Sequence, residues 1–203
     1  MSSDFIKNLG IMQSENLQQS QTLFFVALLP PREIQDYANQ IKQHFALNYA
    51  SRHAQKSPPH ITLQSPFKWS DQNLPGLEAC LQEFASTQNP IPITLSGYGA
   101  FIPRVIYINV VKSPELLAVQ ANLMTHLANQ LGIVDKVSQT RPFAPHMTVA
   151  FRDLTRQNFK AAWPEFEKRE LYFEFTANNL TLLRHDGQRW NVKAEFPFVI
   201  GDR

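Results

Sequence analysis

The sequence predicts an α+β protein made from a duplicated unit, with two mainly antiparallel sheets, outer helices and a central cleft. Three observations carry this reading. The order strand, helix, His-x-Thr strand, helix, further strands runs twice along the 203 residues. The 43% apolar content, with 15 Phe, is enough to fill a sizeable core. No stretch reaches the roughly 20 apolar residues of a membrane span.

The elements follow in order. Thr22 to Leu29 is a short apolar run stopped by Pro30-Pro31, which reads as a buried strand. Ile34, Tyr37, Ala38, Ile41 and Phe45 then recur at helical spacing. A polar loop, Ser51 to Pro59, leads to a strand starting at His60, and Leu74, Leu77, Cys80, Leu81 and Phe84 form a second helical stripe. Ile91 to Phe101 is extended, with a break expected near Gly97 and Gly99. The pattern restarts at Val105 to Val111, followed by a helix from Pro114 to Leu131 closed by Gly132. A strand begins at His146, and Phe159, Ala162, Trp163 and Phe166 mark a further helix. Leu171–Phe175, Leu180–Leu183 and Trp190–Phe198 are the last strands. Residues 1–20 are polar and aperiodic, so they read as a flexible tail, and 21–203 as a single bilobal domain with halves at roughly 22–103 and 104–198.

Composition removes several classes of function. The formal charge of +2 is too mild for a protein that coats duplex DNA, yet it permits a small phosphorylated ligand or a nucleic-acid end. There is no glycine-rich phosphate loop. The lone Cys80 excludes an internal disulfide and a cysteine-rich zinc site, which fits a reducing cytoplasm. Lys7, Asn8 and Gly10 interrupt the early apolar patch and no small-residue cleavage site follows, so no signal peptide is expected. The expected protein is a cytoplasmic monomer with no membrane contact.

The chemistry concentrates at equivalent points of the two halves, Pro59-His60-Ile61-Thr62-Leu63 and Pro145-His146-Met147-Thr148-Val149. At this composition about 0.02 copies of Pro-His-x-Thr are expected by chance, so a pair at matching positions is a specific signal. Side chains alternate across a strand. His60 and Thr62 therefore share one face, as do His146 and Thr148, with Ile61, Leu63, Met147 and Val149 turned into the core. Two imidazoles can divide the roles of acid and base near neutral pH, and two hydroxyls can bind the non-bridging oxygens of a phosphate. The competing readings are packed or surface histidines and a zinc site. Zinc lacks the usual third and fourth ligands, and His44, His53, His126 and His185 stand at no telling spacing, so they read as surface or helix-face residues.

The paired His-x-Thr strands resemble the 2H phosphoesterase superfamily. Within it they resemble the LigT-like group of bacterial RNA 2',3'-cyclic phosphodiesterases, also called 2'-5' RNA ligases. Gly97 to Tyr107, with Phe101 and Arg104, is similar to the family's glycine–phenylalanine turn with an Arg before the central strand. Arg141-Pro142-Phe143-Ala144-Pro145-His146-Met147-Thr148 is similar to its second motif. The resemblance implies a bilobal LigT-like fold with the active site between the lobes, metal-independent action without a cofactor, and His60 and His146 as acid and base. Family members often carry an Arg where this chain has Phe151, with Arg152 one position later. Arg104 and Arg152 are candidate substrate contacts, Arg152 as a group that could face the cleft and hold the phosphate, and Phe67, Phe101, Phe143 and Phe151 are candidate stacking platforms.

The function expected is hydrolysis of a 2',3'-cyclic phosphate on an RNA end or small nucleotide to a 2'-phosphate, with ligation as the reverse reaction. His146 activates water, His60 protonates the departing 3'-oxygen, and Thr62 and Thr148 bind the phosphate; the acid and base labels are interchangeable at this level. Cleavage of 2',5'-linked oligonucleotides and binding of RNA ends or nucleotides without catalysis are the alternatives.

Overall fold

The computed structural model describes residues 21–135 and 141–199; the expected tail over residues 1–20 lies outside them. The chain runs β1 (Gln21–Leu28), α1 (Arg32–Asn48), a 3-10 turn (His53–Lys56), β2 (Ile61–Ser70), a second 3-10 turn (Asp71–Asn73), α2 (Leu74–Ala85), β3 (Ile91–Phe101) and β4 (Val105–Val110). It continues through α3 (Pro114–Leu131), β5 (His146–Ala150), α4 (Arg156–Phe166), β6 (Tyr172–Ala177), β7 (Asn179–His185) and β8 (Trp190–Pro197). Local chemistry sets several of these ends. Pro30 and Pro31 cannot donate to a ladder and close β1. Ser113 Oγ accepts from Leu116 N at 3.2 Å to cap α3, Pro114 takes its first turn, and Gly132 ends it with φ 66°.

Two four-stranded antiparallel sheets result, ordered β2-β1-β7-β8 and β5-β4-β3-β6. Each sheet draws on both halves of the sequence. β3, at the end of the first half, pairs with β4 and β6, while β7 and β8 return to β1. The helices exchange as well: α1, which follows β1, packs over β5, and α3, which follows β4, packs over β2 and β3. One apolar core joins both sheets, with Phe24, Val26 and Leu28 of β1, Ile106, Ile108 and Val110 of β4, and Phe45 and Phe166 from the helices.

β1 is buried on both faces, as its unbroken apolar run requires. Phe24, Val26 and Leu28 enter the main core, while Phe25 and Ala27 join Leu183, Leu29 and Trp190 in a small cluster on the other face. The expected break at the glycines of β3 is instead a continuous strand whose register shifts between Leu95 and Tyr98. Gly97 takes φ 66° there, and its N–H donates to Leu171 O at 2.9 Å. Among the described residues no helix is long and apolar enough to cross a membrane.

Candidate active site

β2 and β5 are the edge strands of their sheets. They lie next to each other, so their His-x-Thr segments open onto one cleft of about 560 Å³. Ile61, Leu63, Met147 and Val149 are buried in the core, and the intervening His60, Thr62, His146 and Thr148 are half-buried and line the cleft.

The two histidines are held alike. His60 Nδ1 lies 2.7 Å from Pro58 O, and His146 Nδ1 lies 2.7 Å from Ala144 O, each the carbonyl two residues earlier. A carbonyl oxygen only accepts, so Nδ1 carries the proton in both rings and Nε2 is the nitrogen left for chemistry. Pro59 and Pro145 stand between each histidine and its carbonyl and restrict the preceding residue to extended backbone, which aims that carbonyl at the ring. Aromatic rings brace both imidazoles. Phe25 lies 4.7 Å from the His60 ring; Phe101 and Tyr107 lie 5.0 and 5.2 Å from that of His146. Gly99 makes room for Tyr107, since a Cβ there would fall 2.7 Å from Tyr107 Oη.

Burial pushes the His60 imidazole down to about 4 against the pull of its Pro58 hydrogen bond, with Lys42 and His146 adding positive charge nearby. Lys42 reaches this neighbourhood from α1; its Nζ is buried, donates to Ser57 O at 2.9 Å and is itself pushed down to about 7 by burial. Burial also lowers His146, opposed by its Ala144 hydrogen bond. Both rings therefore lean toward neutral, His60 the more strongly.

Stability should follow. An unfolded His60 titrates near 6.5, whereas the folded ring resists protonation down to about 4. The unfolded chain thus takes up a proton that the fold refuses between those values, so this stability is complete above 6.5 and lost as pH falls toward 4. The loss is on the order of 3 kcal/mol. Chemical denaturation of wild type and His60→Gln at pH 7 and pH 4.5 should show a shallower acid loss in the variant; parallel losses would contradict the burial argument.

Phe151, Arg152 and the 3-10 turn after α1 build one end of the cleft. Asp153 ties them together: its carboxylate accepts from Ser51 Oγ at 2.9 Å, Arg52 N at 2.8 Å and His53 N at 2.9 Å. Asp153→Ala would strand two backbone donors and is expected to lower stability by about 1–3 kcal/mol and raise KM for a nucleotide substrate. A variant with unchanged denaturation midpoint and KM would show that the link is incidental.

The predicted contacts divide. Phe101, Phe151 and Arg152 line the cleft with the His/Thr pairs. Arg152 gets there by a turn rather than by strand parity, because β5 ends at Ala150 and Arg152 has φ 59°. Arg104, Phe67 and Phe143 do not line it. Arg104 is exposed in the β3–β4 turn. Phe67 packs toward the core, 6.4 Å from Phe24, and Phe143 likewise leans on the core. His53 and His185, expected on the surface, line the cleft, as do Phe25, Lys56 and Trp190. Only Phe25 left a local trace, as the residue of β1 opposite in parity to the core-facing Phe24 and Val26. His44 and His126 sit on α1 and α3 as expected. Among the described residues no group of three or more His, Cys, Asp or Glu could hold a metal ion.

Two edge strands, each presenting an imidazole and a hydroxyl to a shared cleft, define a phosphoesterase of the two-histidine type. The family model of the 2'-5' RNA ligase superfamily matches residues 30–189, and the chain belongs to that superfamily, the 2H phosphoesterases. A protein of Geobacillus sp. (strain WCH70), provisionally named a phosphoesterase, is 28% identical over 174 residues, 84% of this chain and 93% of its own. A similarly named protein of Geobacillus kaustophilus (strain HTA426) is 28% identical over 181 residues, 88% of this chain and 96% of its own. Among solved structures, TT0787 of Thermus thermophilus has a TM-score of 0.64 at 21% identity, covering 89% of this chain and 100% of its own. E. coli LigT complexed with 3'-AMP has a TM-score of 0.62 at 18% identity, covering 89% and 99%. At these identities the two structures bear on the fold alone.

Proposed function

We propose that this 2H phosphoesterase hydrolyses 2',3'-cyclic phosphates, on RNA ends or on nucleotides, to 2'-phosphates without a metal. The observation that carries the reading is the duplicated clamp: two imidazoles, each tied through Nδ1 to a carbonyl, lining one cleft beside two threonines. The cleft's volume of about 560 Å³ falls in the range of small-molecule sites and suits a nucleotide. That E. coli LigT, which shares the fold, was crystallised with 3'-AMP adds support.

In this reading a water oxygen attacks phosphorus as one histidine Nε2 takes its proton. The P–O3' bond breaks and the other histidine delivers its Nε2 proton to O3'. Thr62 and Thr148 donate to the non-bridging oxygens as charge builds there. The charge states favour His60 as base, because it is the ring held more firmly neutral. His146 is then the acid and takes up its proton with the anionic substrate, which exchanges the two roles expected from the sequence. With a 5'-hydroxyl in place of water as the nucleophile, the same groups would break P–O3' and join two ends by a 2'-5' linkage.

Incubation with a chelator and the four nucleoside 2',3'-cyclic monophosphates, a cyclic-ended oligonucleotide and a 2',5'-linked dinucleotide, with products read by phosphorus NMR, tests the reading. The expected result is 2'-phosphate from the cyclic substrates, with a bell-shaped pH profile as His60 protonates on the acid side and His146 deprotonates on the alkaline side. Loss of activity in chelator, or turnover of the 2',5'-linked substrate alone, would overturn it.

A further inference from the structure

We propose that the basic end of the cleft, formed by His53, Lys56 and Arg152 with His185 nearby, is a subsite for a second phosphate of the substrate. The protein would then select a phosphorylated nucleotide, or the end of a chain, over a bare nucleoside cyclic phosphate. The proposal rests on the phosphodiesterase reading above and adds to it a determinant of substrate choice.

The groups at this end are not those that serve the reacting phosphate. His146 opens β5, Thr148 stands midway, and Phe151-Arg152 lie beyond its far end, so the strand runs from the reaction centre toward the basic cluster. The 3-10 turn bearing His53 and Lys56 arrives from the other side, a few residues ahead of His60. All of these side chains line the one cleft.

Arg152 and Lys56 bring two positive charges to this end, against which Asp153 sets one carboxylate from behind the His53 turn. Among the described residues neither Arg152 nor Lys56 forms an ion pair. The acid next in sequence, Asp153, is committed to Ser51 Oγ and the N–H groups of Arg52 and His53. Its role is to hold the two loops together behind the site. Arg152 Nη1 lies 3.3 Å from His53 Nε2, and the guanidinium sits 5.6 Å over the Phe151 ring, whose edge also meets the His53 ring at 5.0 Å. One N–H of five is thereby spent on His53; the rest of the fork stays available for a phosphate. The orientation is maintained at a cost, since φ 59° is a left-handed backbone that an arginine seldom adopts. A guanidinium that forms no ion pair among the described residues and keeps most of its N–H groups free, flanked by a lysine and two imidazoles, is a donor set that a phosphate recognises.

The test compares three substrates at one ionic strength: adenosine 2',3'-cyclic phosphate, the same compound with a 5'-phosphate, and a dinucleotide ending in a 2',3'-cyclic phosphate. The expected result is a higher kcat/KM for one or both substrates with the extra phosphate. Preference for the 5'-phosphorylated compound assigns the subsite to a terminal monoester, and preference for the dinucleotide to a chain diester. Arg152→Gln and Lys56→Gln should each reduce that preference about tenfold, the worth of a hydrogen bond to a charged group. Arg32→Gln, which removes the same charge from an exposed site paired with Asp36, should leave it unchanged. Calorimetry with adenosine 2',5'-bisphosphate and adenosine 2'-monophosphate keeps the subsite testable apart from catalysis. If no cyclic phosphate is turned over, the functional reading fails while tighter binding of the bisphosphate, lost in Arg152→Gln, still supports the subsite. Equal kcat/KM values with and without the second phosphate, a preference retained in both variants, or equal affinity for the two products would overturn it.

Discussion

Replacing either His60 or His146 with alanine is expected to lower the rate of 2',3'-cyclic phosphate hydrolysis about 10²–10⁴-fold, the usual worth of a positioned acid or base. The losses should not multiply in the double variant, because each imidazole acts on the same transition state and one without the other leaves the transfer incomplete. Both rings are half-buried at strand starts rather than packed in the core, so the variants should fold and still bind a nucleotide product. A substrate with a 4-nitrophenyl leaving group separates the roles. It needs no protonation to depart, so the variant lacking the acid should recover most of its rate and the variant lacking the base should not. Recovery in His60→Ala rather than His146→Ala would return the roles to those expected from the sequence. A loss below about threefold for either residue would leave a nucleotide-binding protein and no enzyme of this design.

The threonines carry the second large effect. Thr62→Val and Thr148→Val keep the β-branched shape that suits a strand and remove only the hydroxyl. Each is expected to cost about 10²–10³-fold in kcat with a smaller change in KM, since the hydroxyl does most where charge accumulates on the phosphoryl oxygens. Serine at either position should restore much of the rate. Equal losses in the serine and valine variants would mean that the methyl group, and hence packing, is what the site needs.

The placement of these four side chains was legible in the sequence because it depends on strand parity alone. His60 and Thr62 flank Ile61, and His146 and Thr148 flank Met147; burying the middle residue leaves its neighbours no other face. Element order was legible for a similar reason, through the local periodicities of Ile34 to Phe45 and Leu116 to Leu131. Strand partnership was not. Nothing local in Ile91–Phe101 states that it pairs with Tyr172–Ala177, nor in Asn179–His185 that it returns to β1. Those choices arise from the packing of two sheets around one core. The same limit explains the mixed outcome for the outer contacts. Phe67, Phe143 and Arg104 were near the motifs along the chain but turn elsewhere in space, whereas His53, His185 and Trp190 reach the cleft from the ends of other elements. Arg152 came to its position through a backbone turn that no parity rule describes.

The exchange of strands and helices between the two sheets has a consequence for how the molecule can move and be divided. A hinge needs a boundary that few segments cross, and here β3, β7 and β8, together with α1 and α3, all cross from one repeat to the other's sheet. The lobes are woven rather than hinged. Neither repeat alone contains a finished layer: the first would leave β1 without the partner on its far side, and the second would leave β4 without β3. Substrate must therefore fit a gap whose width is set in advance, and whatever once folded as a single copy of this unit cannot be recovered by cutting the present chain in half.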